Sequence, residues 1–226
     1  MDRSTWIKEQ RHAAEIGYDE IWAAEYGEKW GLYSNASHRQ FIQTFLGLFP
    51  QPVTILDAAC GAGRYFPFLL KKDHTVFGID QSQGMLDQAS RNYSNVHLEK
   101  IGLQEMAFQE MFEGAICMDA LEHVSPEDWP TIFHNFHSAL KPQGYVYFTV
   151  EVADEQEIEA AFRTGQQAGL PLVYGEWPDN DGVYHYYPSL PQVREWLGQA
   201  GFEIMEEGEG DGYHHFLTRL EVDIDT

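Results

Sequence analysis

Ile55-Leu56-Asp57-Ala58-Ala59-Cys60-Gly61-Ala62-Gly63-Arg64-Tyr65 is the stretch that decides how this 226-residue chain folds. Val53 to Ala58 is a short apolar run, too brief for an ordinary helix, and reads as a buried strand. Gly61 and Gly63 let the backbone turn sharply and pass close to a ligand. Arg64 to Lys72 then carries a helical pattern that tolerates Pro67 near its first turn. A strand, a glycine turn and a helix in that order make a site for a nucleotide-like ligand, because the backbone N–H groups at a helix start have no partners of their own.

Outward from this core the rhythm repeats. Thr75 to Asp80 is a second strand, Ser82 an N-cap, and Met85 to Asn92 the following helix. Val96 to Ile101 is a third strand and Gly114 to Met118 a fourth. Ser125-Pro126-Glu127-Asp128 reads as a helix start with proline at the first position, the helix running to Leu140. Lys141-Pro142-Gln143-Gly144 breaks it, and Tyr145 to Val150 is a fifth strand. Strands separated by helices imply parallel pairing through right-handed crossovers, hence a doubly wound α/β sheet.

Residues 5 to 48 carry helical spacings, first through Ile16, Ile21, Trp22, Tyr26 and Trp30, then through Phe41, Ile42, Phe45, Leu46 and Phe49. Residues 151 to 188 interrupt the α/β rhythm with an acidic helix over Asp154 to Gln167 and the aromatic run Val183-Tyr184-His185-Tyr186-Tyr187-Pro188. Ser189 to Ala200 is the last helix; Gly201 to Ile204 and Tyr213 to Leu220 are expected to close the sheet as a hairpin. The expected organisation is one domain over 1–226, built on a mostly parallel seven-stranded sheet. It comprises an N-terminal helical cap (1–50), a ligand-binding half (51–150), a cap insertion (151–188) and a closing helix and hairpin (189–226).

Charge narrows the partners. With 36 acidic against 14 basic residues the net charge is -22, which repels a phosphate backbone, so no nucleic-acid partner is expected. No apolar run is long enough to cross a bilayer and the first residues lack a secretory layout, so a cytoplasmic protein without a membrane partner is expected. Cys60 and Cys117 lie in or beside buried strands and read as small core residues. Nothing in the composition speaks to oligomeric state.

Asp80 ends the second strand seventeen residues after Gly63, where an α/β nucleotide site sets a carboxylate against ribose hydroxyls. Two readings share this pair. A dinucleotide enzyme using NAD or FAD requires a third glycine three residues after Gly63, for close packing of helix on strand, and Phe66 stands there. The other reading rests on three longer stretches, in which the sequence resembles the class I S-adenosylmethionine-dependent methyltransferases. Asp57 to Gly63 matches their acidic-plus-glycine motif, with Ala59 in place of the first glycine. Gly78-Ile79-Asp80-Gln81-Ser82-Gln83-Gly84-Met85-Leu86 is similar to the family's ribose-binding stretch. Met118-Asp119-Ala120-Leu121-Glu122-His123-Val124 is similar to its segment after the fourth strand.

That resemblance implies S-adenosylmethionine as cofactor. Asp57 would hold the methionine amino group, and Ala59, Gly61 and Gly63 would form the loop beneath the methionine and ribose. Asp80, with Gln81 beside it, would take the ribose hydroxyls, Met85 would lie near the adenine, Gln104-Glu105 would occupy the adenine-contacting position, and Asp119 would line the methionine end. It implies methyl transfer to an oxygen or nitrogen of a small-molecule acceptor; a non-catalytic member of the same fold is the remaining alternative. Transfer from a sulfonium is an in-line displacement that asks mainly for alignment and exclusion of water. A hydroxyl or protonated amine also needs a base, and His123, His185, His214 and His215 are the candidates. In a strand His214 and His215 point to opposite faces, so at most one serves a given site. Tyr26, with Trp22 and Trp30, is a candidate lid residue. No metal site is expected, since Glu122, His123, His185 and His214 lack local ligand spacing.

Overall fold

The computed structural model describes residues 1–23, 35–178 and 184–221, with the side chains of 20–22 left aside. Seven strands form one sheet: β1 (Thr54–Ala58), β2 (Thr75–Asp80), β3 (His97–Lys100), β4 (Phe112–Cys117), β5 (Leu140–Glu151), β8 (Phe202–Gly210) and β9 (Tyr213–Leu220). Their spatial order is β3-β2-β1-β4-β5-β9-β8. The first five run parallel, and β9 lies antiparallel between β5 and β8. A short separate pair, β6 (Glu176–Pro178) and β7 (Tyr184–Tyr186), lies in the insertion.

Alternation along the strands explains why both faces are covered. Leu56, Phe77, Ala115, Phe148 and Phe216 point to one apolar cluster; Ile55, Val76, Ile116, Tyr147 and Leu217 point to the other. The first face receives α1 (Arg3–Ile16), through Trp6 and Ile7, with α5 (Trp129–Ala139) and α7 (Leu190–Gln199). The second receives α2 (Ala36–Gly47), through Phe41, Ile42, Phe45 and Leu46, with α3 (Phe66–Leu69) and α4 (Gln83–Asn92). Helix α6 (Glu155–Gln167) follows β5 and is capped by Asp154, which accepts from the N–H groups of Gln156 and Glu157. The order of connections reverses between β1 and β4, and in an open α/β sheet ligands bind in the crevice at the carboxyl ends of the strands flanking that reversal.

Local chemistry moved three expected boundaries. The helix expected over 64–72 is four residues long: Pro67 lies at its start, and Lys72 and Asp73, both at positive φ, end the turn after it. Such a short helix has little aligned dipole to offer an anion. Pro126 does not open α5. Ser125 and Asp128 close a turn on themselves, Ser125 donating to Asp128 at 2.7 Å, and the helix starts at Trp129 with Pro130 in its first turn. Strand β5 starts at Leu140 rather than Tyr145, paired to Phe112, with a register shift absorbed between Phe112 and Gly114. Caps at Ser82 and Ser189 fall where expected, accepting from the N–H groups of Met85 and Gln192.

Candidate active site

A cleft of about 950 Å³, open space included, sits at the carboxyl ends of β1, β2 and β4. Its floor is the loop after β1. Ala59, Gly61 and Gly63 hold φ of 60°, 53° and 81°, so three near-alternate residues share the left-handed conformation that glycine adopts freely and alanine does not. With alanine in place of the first glycine the turn is kept, and the strain falls on Ala59. Gly61 donates its N–H to Asp80 Oδ2 at 2.8 Å, and Ser82 N–H donates to Asp80 Oδ1 at 2.8 Å. Asp80 thus ties the loop to the end of β2 and faces the cleft. Burial raises its pKa to about 6, against the two backbone N–H groups that pull it down.

Phe66 shows why the third glycine is absent. A side chain on Gly63 would lie 2.6 Å from the Phe66 ring, and one on Gly78 would lie 3.0 Å from its tip. The ring therefore fills the space between loop, helix and β2, where a dinucleotide site brings backbones together.

The expected cofactor residues divide into three groups. Ala59, Gly61, Asp80, Gln81, Met85, Gln104 and Asp119 line the cleft. Gly63 shapes the loop beneath it, and Glu105 is exposed on an adjoining surface recess with Lys8, Arg11 and Lys100. Asp57, 1% exposed, lies below the loop rather than on the wall; burial, then the neighbouring Asp80, hold its pKa well above the carboxylate range, and its Oδ2 has no hydrogen-bond partner. Tyr26 and Trp30 lie outside the described residues.

Asp119, at φ 52°, is held by its surroundings. Its N–H donates to the Thr149 hydroxyl at 2.9 Å. Its carboxylate pairs with Arg64 at 2.8 Å and accepts from the Tyr65 hydroxyl at 2.8 Å. Burial raises its pKa, while Arg64 and Tyr65 pull it back. His38, from α2, completes the cage with Nδ1 3.1 Å from the Tyr65 oxygen and Nε2 3.4 Å from Asp119 Oδ1. Burial, then the charge of Arg64, lower the His38 pKa to about 4. Sequence reading missed His38 as a site residue. Its signal was present, since it lies three and four residues before Phe41 and Ile42 on the helix's apolar face.

The four histidine candidates separate sharply. His123 lines the cleft; its Nδ1 bonds the Tyr184 carbonyl at 3.0 Å and its Nε2 meets the Tyr18 hydroxyl at 3.0 Å. A carbonyl only accepts, so Nδ1 carries the proton and Nε2 is the basic nitrogen. Burial, then nearby His185, lower its pKa to about 4. His185 lies beside it, ring centres 4.8 Å apart and planes tilted by 58°, with Nε2 3.8 Å from Glu151. His214 and His215 do take opposite faces, and neither reaches the cleft. His214 faces Glu207 and Glu209 of β8, at 3.2 and 3.6 Å. His215 is buried under α2, stacked on Phe41, with Nδ1 3.0 Å from the Tyr147 hydroxyl and Nε2 bonded to Gly210 O at 3.3 Å. Both are structural here because strand parity and the packing of α2 commit them elsewhere.

Helix α1 and its π-helical continuation (Gly17–Trp22) cross the mouth of the cleft, contributing Arg11, Ala14 and Tyr18. No sequence signal marked them. Arg3 reaches Glu176, Glu127 and the Pro171 carbonyl; Arg11 pairs with Asp128; Asp19 accepts from Ser82 at 2.5 Å and from Gly84 N–H at 3.0 Å at the start of α4.

The cleft combines a left-handed loop open to close backbone approach, the buried Asp80 carboxylate, Met85 and Gln104 on its wall, and Asp119 paired with Arg64 at the far end. Residues 55–144 match the family model described as a methyltransferase domain. The ubiquinone biosynthesis O-methyltransferase of Hydrogenovibrio crunogenus is 28% identical over 208 residues, covering 89% of this chain and 82% of that protein; the Coxiella burnetii protein of the same name is 23% identical over 176 residues, covering 75% and 70%. Among solved structures, the Burkholderia thailandensis 1,6-didemethyltoxoflavin-N1-methyltransferase, with its substrate and S-adenosylhomocysteine bound, superposes with a TM-score of 0.70 at 18% identity, covering 94% of this chain and 91% of that one. The magnesium protoporphyrin IX methyltransferase of Synechocystis, bound to S-adenosylmethionine, gives 0.67 at 14% identity, covering 93% and 96%. The fold is therefore the Rossmann-like one of the methyltransferases. Residues 55–144 therefore make a methyltransferase domain, and the chain is an S-adenosylmethionine-dependent methyltransferase.

Proposed function

We propose that this enzyme methylates an oxygen or nitrogen of a small organic acceptor in the cytoplasm, with 1–226 acting as one catalytic domain and His123 Nε2 receiving the acceptor's proton. One observation carries the reading: the His123 tautomer, set by the Tyr184 carbonyl, turns a basic nitrogen toward the cleft, where the Tyr18 hydroxyl already occupies the place of a donor. S-adenosylmethionine supplies an activated methyl group. Asp80 would hold its ribose through the lone pairs left over from Gly61 and Ser82. Gln104 and Met85 would meet the adenine, and Arg64 would meet the methionine carboxylate. Asp57 serves the loop from beneath.

A small acceptor is supported by the cover that α1 places across the cleft, and a nucleic-acid acceptor is disfavoured by the net charge of -22. Among the described residues no helix is long and apolar enough to cross a membrane. The relatives' printed activities, O-methylation in ubiquinone biosynthesis and N1-methylation of 1,6-didemethyltoxoflavin, are methyl transfers to oxygen and nitrogen.

Calorimetry with S-adenosylhomocysteine on wild type and Asp80→Ala tests the cofactor site: binding is expected, weakened by about 1–3 kcal/mol in the variant. Turnover is tested by release of S-adenosylhomocysteine with pools of small hydroxyl and amine compounds. Efficient methylation of RNA or DNA with no small-molecule turnover would overturn the acceptor reading, and cofactor binding without any turnover would favour the non-catalytic one.

A further inference from the structure

Both ring nitrogens of His123 are engaged. Nδ1 donates to the Tyr184 carbonyl at 3.0 Å, and Nε2, which therefore carries the lone pair, accepts from the Tyr18 hydroxyl at 3.0 Å. An imidazole has no third position for a hydrogen bond. An acceptor molecule in the cleft consequently meets His123 only if Tyr18 moves aside; otherwise it meets Tyr18 and gives its proton there. The first route makes Tyr18 an obstruction, the second a catalytic group.

The surroundings favour the second route. Tyr18 lies in the π-helical turn Gly17–Trp22 and lines the same cleft as His123, Asp119 and Ala120. Its ring stands edge-on to the imidazole, centres 5.9 Å apart and planes at 66°. The next residue holds the backbone in place: Asp19 accepts from the Ser82 hydroxyl at 2.5 Å and from the Gly84 N–H at 3.0 Å. Gly84 packs so closely that a side chain there would come within 2.9 Å of the Asp19 carbonyl. Swinging the phenol away from Nε2 would forfeit both the hydrogen bond and the ring contact. A phenol donates through its proton while its oxygen accepts, so Tyr18 is equipped to hold Nε2 and to receive a proton in the same place.

Resting on the reading of His123 as the base, we infer that Tyr18 is the catalytic residue that touches the acceptor and relays its proton to His123. As the acceptor's oxygen or nitrogen forms its bond to the methyl carbon, the methyl–sulfur bond breaks and leaves its electron pair on the sulfur of S-adenosylhomocysteine. The acceptor's proton goes to the Tyr18 oxygen while the Tyr18 proton goes to His123 Nε2. The phenol ends neutral, and the imidazolium, still bonded to the Tyr184 carbonyl, holds the one proton released until solvent takes it. Coupling the two transfers avoids a free tyrosinate, which a phenol of pKa about 10 seldom forms at neutral pH. Burial, then His185 with its ring centre 4.8 Å away, keep the imidazole neutral and able to receive the proton.

The test uses full-length protein with histidine labelled for nitrogen NMR and S-adenosylhomocysteine bound, as wild type, Tyr18→Phe and His123→Asn, the last identifying the His123 signals. Wild type is expected to show a hydrogen-bonded Nε2 and a titration near pH 4. In Tyr18→Phe that signal should move to the position of an unbonded nitrogen and the titration should rise, because the donor that favoured the neutral ring is gone. Turnover is read as S-adenosylhomocysteine release with the pools of small hydroxyl and amine compounds, p-cresol, catechol and benzylamine among them. Tyr18→Phe should lower kcat by about 10²-fold with little change in KM, and adding it to His123→Asn should cost nothing more, since the two serve one relay. If Tyr18→Phe fails to bind S-adenosylhomocysteine, Tyr18→Leu takes its place. Unaltered His123 signals, additive losses in the double variant, or faster turnover by Tyr18→Phe would each overturn the relay, the last by making Tyr18 an obstruction. A fully active His123→Asn, or a wild type that turns over no pool, would instead remove the base reading itself, so the two failures are distinct.

Discussion

Ala59 is the residue at which this loop stores strain. A left-handed conformation costs a non-glycine residue about 1–2 kcal/mol, while glycine loses about 0.4–1 kcal/mol through its freer unfolded state. Ala59→Gly is therefore expected to be neutral to stabilising by up to about 1 kcal/mol in urea unfolding; a loss beyond about 0.5 kcal/mol would show that the alanine methyl does something the geometry does not reveal. His123 makes a sharper test. A pKa near 4 keeps its Nε2 available throughout the neutral range, so the acid limb of kcat/KM should fall near pH 4 rather than near 6.5. His123→Asn should lower kcat by about 10²–10⁴-fold, the usual worth of a positioned base, and remove that limb. An unchanged profile would assign the proton to another group.

At the scale of elements, the cleft depends on how α1 is held. Arg3 binds Glu176, whose side chain is fully buried, and Glu176 also accepts from the Tyr184 hydroxyl at 2.7 Å and the Val173 N–H at 2.7 Å. Tyr184 in turn presents the carbonyl that sets the His123 tautomer, so the staple and the base share one strand. Removing Arg3 leaves a buried carboxylate without its counter-ion, a loss of about 3–5 kcal/mol for a fully buried pair. Arg3 is partly exposed, 23% at its side chain, so a smaller loss of about 2 kcal/mol is expected for Arg3→Met. Adding Glu176→Gln should recover part of it. A double-mutant cycle on thermal unfolding measures the coupling, and additive single effects would show that the pair is not a staple.

Across the whole molecule, buried titratable groups bound the stability from both sides. His38 and His215 have pKa values lowered to about 4 from 6.5, each by burial first. Folding with neutral imidazoles gives stability that is fully present above pH 6.5 and lost as pH falls through 4. Asp80 works the other way: its pKa of about 6, raised from 3.8, gives stability present below pH 3.8 and lost as pH rises through 6. Asp57 and Glu122, shifted in the same direction, reinforce that loss. Between pH 4 and 6 the histidines and Asp80 therefore pull the stability of the cofactor-free protein in opposite directions. His215→Phe preserves the stack on Phe41 and should flatten the decline between pH 6.5 and 4 by up to about 1.4 kcal/mol per pH unit. An unaltered slope in urea unfolding at several pH values would refute this assignment.

Much of the architecture was legible from spacing alone, because strand and helix periods, glycine turns and caps are local properties. Ile55 to Gly63, the strand ending at Asp80, the caps at Ser82 and Ser189, and the closing hairpin stand where their residues imply. That the loops after β1, β2 and β4 line one cleft was legible for the same reason, since consecutive residues at a strand end share one crevice. What the chain could not announce is any contact between segments distant in sequence. His38 meets Asp119 across 81 residues, Tyr18 meets His123 across 105, and Arg3 meets Glu176 across 173. Those pairings arise only when α1 and α2 dock on opposite faces of the finished sheet. The choice among four histidines was likewise tertiary: parity placed His214 and His215 on opposite faces, but only packing showed that both faces were already occupied. Sequence by itself determined the fold class and the cofactor; the three-dimensional packing decided which imidazole faces the cleft and which buried acids are left without partners, because tautomer and desolvation depend on neighbours the chain brings together only by folding.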